Sequence, residues 1–146
     1  MIKINKKELK NLILDGITEE ELKEYDYSDI TDFSSMFAHC LELKSVPLFD
    51  TSNGTDFSEM FSNCIKLEEV PLLDTSNGTD FRWMFERCSR LEQVPLLNIS
   101  NGTYFSWMFD ECINLRDLQE EFLYKNIVIK DINSKYLEDK YPEAFI

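Results

Sequence analysis

The chain has 146 residues, 43% of them hydrophobic, which suffices for one soluble domain with a core. Its net charge of −13 argues against direct nucleic-acid binding, because phosphate contacts need a basic surface. No apolar run is long enough for a membrane span or an export signal, so the sequence predicts a cytoplasmic protein without a membrane partner.

Residues 1–25 predict two short helices. Gly16 is a typical stop for the first helix, and Thr18 is a suitable N-cap for the second. The apolar face of the first helix consists of Leu9, Leu12 and Ile13.

A 24-residue repeat fills residues 26–118 in four copies. Columns of identical residues, one from each copy, define the repeat: Phe33, Phe57, Phe81 and Phe105; Met36, Met60, Met84 and Met108; Phe37, Phe61, Phe85 and Phe109; Cys40, Cys64, Cys88 and Cys112; Leu43, Leu67, Leu91 and Leu115. One unit of this size cannot bury its apolar side alone, whereas stacked units share a continuous core. The sequence therefore predicts a stack of four units.

Within each unit the pattern predicts a short helix and then a short strand. In residues 33–40 the spacing i, i+3, i+4, i+7 places the apolar residues on one helical face, with Thr31 or Asp32 as N-cap. In the second unit, Asp56 and Glu59 predict a capping box. "LKSVPLF" predicts the strand, and "DTSNG" predicts a turn whose side chains cap it and form a hydrogen-bonded ladder.

The phase of the strand has two interpretations. Alternation from Val46 places Leu48 inward and Phe49 outward, yet both positions are apolar in successive copies. Either one column is an exposed apolar stripe, or the strand breaks at Pro47 and both columns are buried. Because a proline inside a strand loses a ladder hydrogen bond, we favour the break with both columns buried.

The pattern "MFxxCxxLxxVPLxDTSNGTDFxxMF" resembles the BspA-like branch of the leucine-rich-repeat proteins over residues 26–118. The resemblance implies a right-handed solenoid of strand-plus-short-helix units that binds proteins or surfaces and does not catalyse a reaction. Members of the family include secreted adhesins and short proteins of bacteria, phages and mobile elements. The chain departs from the pattern at Gly54, Gly78 and Gly102, where the family usually has an aliphatic residue such as Ile30.

The predicted fold is thus an α/β repeat in one domain, 1–146, a short right-handed leucine-rich-repeat solenoid of four units. Residues 1–25 form a helical N-terminal cap, since the core of a terminal repeat would otherwise contact water. Residues 119–146 form a mixed C-terminal cap, with a strand at 127–129 followed by a helix.

The polar and sulfur-containing residues of the repeat indicate structural roles rather than a catalytic or metal-binding site. The cysteines recur without a CxxC pair, so we expect free thiols in the core and no zinc site. His39 lies in a column that varies between copies, which is typical of a solvent-facing position rather than a catalytic one. The "DTSNG" segments lack the bidentate glutamate of a calcium loop. We therefore expect no catalytic residue, no metal and no cofactor.

Function is expected at the positions that differ between copies. One such column contains Ser35, Glu59, Trp83 and Trp107, and its small and charged members predict exposure. Exposed tryptophans on neighbouring units are typical of a binding hot spot. The alternatives are that they pack against each other or under the C-terminal cap, or that they have no role. The unit of Trp83 also contains a basic cluster of Arg82, Arg87 and Arg90, so Arg82 or Arg87 is a candidate anchor beside it.

A second candidate surface is the outward strand column with its neighbours. From it we select Glu69 and Glu92, and from the tryptophan column Glu59, as further protein-binding residues. The two columns consist of Ser45, Glu69, Gln93 and Asp117, and of Lys44, Glu68, Glu92 and Arg116. The alternative for this surface is a solvated polar face.

The sequence predicts a non-enzymatic protein-binding module in the cytoplasm of a bacterium or a phage-infected host cell. The acidic charge favours a basic partner, and nucleic-acid-binding proteins are one such class. Two other functions fit the same features. One is a phage or mobile-element inhibitor of a host nucleic-acid-handling complex such as a CRISPR effector. The other is a fragment of a bacterial surface adhesin, which the missing export signal disfavours.

Overall fold

The computed structural model describes residues 1–119, 122 and 133–145, and the strand predicted at 127–129 lies outside them. The elements in chain order are β1 (Ile2–Lys3), α1 (Lys6–Leu14), α2 (Glu19–Leu22), β2 (Tyr25–Asp26), α3 (Lys135–Lys140) and a 3-10 helix (Pro142–Phe145). The two strands pair in parallel, with Ile2 opposite Tyr25 and Lys3 opposite Asp26. Among the described residues, no helix has the length and apolar character that crossing a membrane requires.

The first N-terminal helix ends, and the second begins, where the sequence predicts. Asn5 and Glu8 form a capping box that begins α1, whose buried residues Leu9 and Ile13 join the core. Thr18 begins α2 in the same way, since its hydroxyl accepts a hydrogen bond from the Glu21 N–H and its own N–H donates to the Glu21 carboxylate. Between them the chain turns at Gly16, whose φ of +91° is in the region that favours glycine.

The helix predicted for residues 33–40 is wrong, because the backbone there makes consecutive tight turns. The N–H groups of Phe33, Ser35, Phe37 and His39 donate at 2.8–2.9 Å to carbonyls of the next unit. The N–H groups of Met36, Ala38 and Cys40 lie between them and donate within the turn, to the residue three positions earlier. An α-helix would use all of these donors internally, so it could not bond to a neighbouring unit.

The regular main-chain pairing between units lies in this turn segment, whereas the predicted strand contributes isolated bonds such as that from the Glu68 N–H to the Lys44 carbonyl. Parallel bridges join Asp32 to Asp56, Asp56 to Asp80, and Asp80 to Tyr104, whereas residues 44–49 belong to no strand. The predicted capping box of Asp56 with Glu59 is also wrong. The Asp56 carboxylate accepts hydrogen bonds from the N–H and the hydroxyl of Ser58, two residues on, which is an Asx turn.

Two columns of stacked phenylalanine rings form the centre of the core. Neighbouring rings in each column are nearly parallel, with centroids 5.5–5.8 Å apart. At each end of the two columns, a further ring lies at a steep angle to the stacked rings. Phe49 contacts Phe33 and Phe37, and Phe122 contacts Phe105 and Phe109. Tilted or edge-on ring contacts are thus present at both ends of the two columns.

The two apolar columns beside Pro47 differ in burial, which confirms the interpretation with one exposed apolar stripe, but the exposed column is not the one that strand alternation predicts. Phe49, Leu73 and Leu97 are buried in the core, whereas Leu48, Leu72 and Leu96 face solvent. The prediction that Leu48 points inward and Phe49 outward is therefore wrong, and so is the favoured break that buries both. The segment around Pro47 does not pair as a strand. Its side chains therefore do not alternate between inward and outward in the way that a strand would impose.

Polar side chains of the "DTSNG" turns join one unit to the next, as predicted. The carboxylates of Asp50 and Asp74, and the Asn98 amide oxygen in the fourth copy, each accept from the N–H two residues on. The turn asparagines donate through Nδ2 to the preceding unit, in the pairs Asn53 to Ser28, Asn77 to Ser52 and Asn101 to Ser76. The hydroxyls of Thr51 and Thr75 donate at 2.8 Å to the unit that follows.

At the C-terminal end, α3 packs on the fourth unit. Leu137 of α3 is buried, and the Ser134 hydroxyl donates to the Leu115 carbonyl. Lys140 pairs with the Asp117 carboxylate at 2.8 Å, and the Tyr141 hydroxyl donates to the same carboxylate. The position of α3 is thus fixed by one apolar contact and a small polar network.

Gly78 lies directly against the phenylalanine stack. A Cβ added there would be 2.5 Å from Cζ of Phe81 and 3.0 Å from the Phe57 ring, closer than real contacts allow. This contact explains why glycine replaces the aliphatic residue of the family pattern. We expect Gly78→Ala to lower the free energy of unfolding by about 1–3 kcal/mol, measured by urea denaturation.

The double variant Gly78→Ala/Phe81→Leu identifies the cause of that loss. If the Cβ–ring clash is responsible, the double variant is more stable than the sum of the two single effects predicts. Strict additivity would contradict this explanation.

Three of the four repeated cysteines are fully buried free thiols. The thiols of Cys64, Cys88 and Cys112 donate to carbonyls of the preceding unit at 2.9–3.2 Å, while Cys40 is half-buried. Loss of hydration on burial raises the pKa of Cys64 from 9.0 to about 12, and it raises the pKa of Cys88 and Cys112 as well. The protonated, unreactive form is therefore the native one.

These thiols predict a loss of stability at alkaline pH. Below about pH 9 the thiols are protonated in both states, so their contribution is fully present; above it the unfolded chain releases protons that the folded chain retains. The free energy of unfolding should therefore fall between pH 9 and pH 10, by up to about 1.4 kcal/mol per pH unit for each buried thiol. Cys88→Ala should reduce this slope more than Cys40→Ala, and equal slopes in both variants would contradict the assignment.

Candidate functional site

The two tryptophans occupy one position in neighbouring units of the stack. Trp83 and Trp107 have positive φ values of 57° and 60°, and the Trp83 N–H donates to the Ser106 carbonyl at 3.1 Å. The Trp107 side chain is 44% exposed and Trp83 is half-buried. Both aromatic residues are therefore available at the surface.

Arg82 lies against the aromatic side chains. Its Nε and Nη2 donate to the Asp80 carboxylate at 3.0 and 2.6 Å, a bidentate pair. Its guanidinium carbon is 4.8 Å from the centre of the Tyr104 ring and 5.8 Å from that of Trp83. Burial raises the pKa of the Asp80 carboxyl, but hydrogen bonds from Arg82 outweigh this effect and lower it. We call Arg82, Trp83, Tyr104 and Trp107 the aromatic patch.

Sequence reasoning missed Tyr104. Its ring is 52% exposed and stacks on Arg82, so it belongs to the patch. A signal was present in the sequence, because the same column reads Asp32, Asp56 and Asp80 before it reads Tyr104. The comparison of columns that singled out the tryptophans finds this exception too.

Arg87, the other proposed anchor, pairs outside the patch. Its Nε is 3.4 Å from a carboxylate oxygen of Glu111, which occupies the same column in the next unit. The first two members of that column behave similarly, since Asn63 and His39 contact each other at 3.0 Å. The column forms pairs along the stack.

The predicted glutamates lie in different surroundings. Glu59 is half-buried in the tryptophan column, one unit before Trp83, and Glu69 is exposed. Glu92 is 3.6 Å from Arg116 in an exposed pair, and Glu68 is 3.8 Å from Arg90. Exposed pairs of this kind contribute about 0–1 kcal/mol each. Glu69 and Glu92 therefore belong to a charged face that is separate from the aromatic patch.

A family model described as "Mycoplasma protein of unknown function, DUF285" matches residues 7–128. The chain belongs to this family. The match spans all four repeats and is consistent with the resemblance to BspA-like repeat proteins. No curated protein and no solved structure matches the chain.

The backbone of this DUF285 chain has positive φ at the whole tryptophan column, including Ser35 and Glu59. Such a conformation is strained for residues other than glycine and, to a smaller extent, asparagine and aspartate. The two tryptophans are the bulkiest members of the column, and none of its members relieves this strain.

Asparagine at an exposed position of this column should therefore stabilise the fold. We expect Ser35→Asn, at φ 56°, to raise the free energy of unfolding by about 0.5–1 kcal/mol in urea denaturation. Ser34→Asn is the matched control, since Ser34 precedes it without positive φ. An equal gain in the control would contradict the strain argument.

Proposed function

We propose that this DUF285 chain is a non-enzymatic module that binds another protein through the aromatic patch. In this proposal residues 26–118 form a short right-handed solenoid of the leucine-rich-repeat type. The solenoid serves as a rigid support, and binding depends on side chains that its stacking does not use.

Hydrogen bonds between units and the two ring columns support the solenoid. Each unit donates main-chain N–H groups to the next, and the same phenylalanine contacts recur at every step. The recurring polar residues of the "DTSNG" turns are engaged in turns and inter-unit bonds. They thus have structural tasks, which is why the proposal assigns them no chemistry.

The observation that carries the proposal is the exposed cluster of Trp107, Tyr104 and Arg82 beside Trp83. Tryptophan, tyrosine and arginine are the residues most enriched at binding hot spots, because they offer large contact areas with few rotatable bonds. The ion pair with Asp80 and the rings on either side hold the Arg82 side chain in place before a partner arrives. Such preorganisation lowers the entropy that binding costs.

The choice of residue at the tryptophan positions gives further support. Stacking imposes positive φ on every member of this column, and such a conformation is strained for residues other than glycine. Asparagine would fit this backbone better, as Asn63 does at the other positive-φ column. The stability of the fold alone therefore does not explain why Trp83 and Trp107 are tryptophans.

The test is the double variant Trp83→Asn/Trp107→Asn. Wild-type and variant chains are immobilised, and proteins retained from a lysate of the source organism are quantified by mass spectrometry. Retained candidates are then purified and titrated against both chains by calorimetry. We expect the variant to bind at least about a hundredfold more weakly, since two hot-spot residues are removed, and to melt within a few degrees of the wild type.

The matched control is Ser35→Asn, which makes the same kind of change in the same column of the first unit, two units away from Trp83. It should bind the partner like the wild type. If the tryptophan variant binds normally but melts at a much lower temperature, the tryptophans are packing residues and the proposal is wrong.

A further inference from the structure

A second exposed feature recurs in three consecutive units, separately from the aromatic patch. Leu48, Leu72 and Leu96 are 41%, 63% and 76% exposed, and we call them the leucine stripe. The next residue in each unit is buried, so these leucines face away from the core. Three leucines in a row make a contiguous apolar strip, a feature that marks interaction sites on soluble proteins.

Stacking does not require leucine at these positions. A comparison is offered by another surface column, whose apolar members are exposed: Leu41, Ile65, Ser89 and Ile113. Its third member, Ser89, is half-buried and polar, so a surface position of this stack accepts a polar residue. The leucine stripe contains none in its three members.

The stripe borders a groove against the N-terminal segment. Leu48 and Leu72 line this groove, of about 610 Å³, together with Leu22, Tyr25 and Tyr27. Its rim is acidic and includes the carboxylates of Glu19, Asp26, Asp50 and Asp74.

Two cationic groups line the groove, the amino group of Met1 and Lys23, against four carboxylates. The Lys23 Nζ is already paired, 2.6 Å from the Glu20 carboxylate. Asp50 and Asp74 each use one oxygen to accept hydrogen bonds within their own turn, and no cation pairs with either of them in the part of the chain that the structure describes. An apolar floor with an unbalanced anionic rim is complementary to a segment that is both apolar and basic.

The spacing of the leucines favours a helix as the bound form. Main-chain hydrogen bonds set neighbouring units about 4.8 Å apart, so the three leucines span about 10 Å along the stack. Helix residues i, i+4 and i+7 recur at about 0, 6 and 10.5 Å, which follows the stripe closely. Side chains on one face of a strand recur about every 6.7 Å, so the third of them would no longer lie opposite the third leucine.

We infer that the leucine stripe and its acidic rim bind a basic amphipathic helix of a partner protein. The apolar face of that helix packs on the three leucines, and lysine or arginine side chains beside that face pair with Asp50 and Asp74. This is the helix-in-groove mode of recognition. It goes beyond the proposed function, because it uses none of the residues of the aromatic patch.

The test uses a fluorescein-labelled synthetic peptide of eighteen residues and the full-length protein. The peptide has leucine at i, i+4, i+7 and their repeats, lysine on both flanks of that face, and alanine and glutamine elsewhere. Fluorescence anisotropy at low and at physiological salt gives its dissociation constant. We expect saturable binding that weakens as salt rises. A scrambled peptide of identical composition and a peptide with glutamate in place of lysine should bind at least about tenfold more weakly.

Two variants of the protein locate the site. Leu72→Ser/Leu96→Ser should weaken binding about tenfold or more without lowering the melting temperature, because both side chains are already exposed. Asp50→Asn/Asp74→Asn should weaken it about three- to tenfold. The fold should tolerate this change, since Asn98 makes the same turn in the fourth copy. Trp83→Asn/Trp107→Asn should bind the peptide like the wild type.

Several results would overturn the inference. They are a failure of the peptide to bind, equal binding of the scrambled peptide, or unchanged binding in the leucine variant. Sedimentation of the wild type as a dimer that Leu72→Ser/Leu96→Ser dissociates would show that a second copy occupies the stripe instead. Loss of peptide binding in the tryptophan variant alone would place the helix on the aromatic patch.

Discussion

The stacking of phenylalanine on phenylalanine at 5.5–5.8 Å is the contact on which the other features of the fold depend. Main-chain hydrogen bonds of about 2.9 Å hold neighbouring backbones closer together than these ring centroids are, as in any parallel pairing near 4.8 Å. Both distances can hold at once only if neighbouring rings are displaced sideways, across the stacking axis, which is the offset arrangement that aromatic pairs prefer. A unit shifted by one residue would lose the ring contacts and the hydrogen bonds together, so the register is fixed by two interactions at once.

The same constraint explains the unusual backbone of each unit. To donate every second N–H to its neighbour, the turn segment adopts positive φ at every fourth residue, such as Ser35 and His39. Close contact between the rings and the backbone also leaves no room for a Cβ at Gly78. Strain and small residues at these positions thus follow from the geometry of stacking, and the stacked rings, buried thiols and turn side chains offset their cost.

Comparison of the repeat columns predicted the core, the free cysteines and the turn ladder, and local capping signals predicted the end of the first helix and the start of the second. It failed for the segment around Phe33, Met36 and Phe37, because inward positions at i, i+3 and i+4 also arise from consecutive tight turns whose N–H groups bond to another unit. No local pattern distinguishes the two cases, since the deciding partner lies 23 residues away. The exposure of Leu48 escaped prediction for a related reason: alternation applies only to a chain in a ladder.

The candidate surfaces were partly predictable from the comparison of repeat columns. A column whose members stack on one another inside the core must repeat its residue, whereas an outward column is free to change, so exceptions such as Trp83 and Tyr104 mark the surface. This rule misses the leucine stripe, which is outward and yet unchanged in three copies. Repetition therefore has two physical sources in this chain, burial in the core and presentation of one side chain at regular intervals. Only the exposed fraction of each side chain separates them, and that quantity requires the structure.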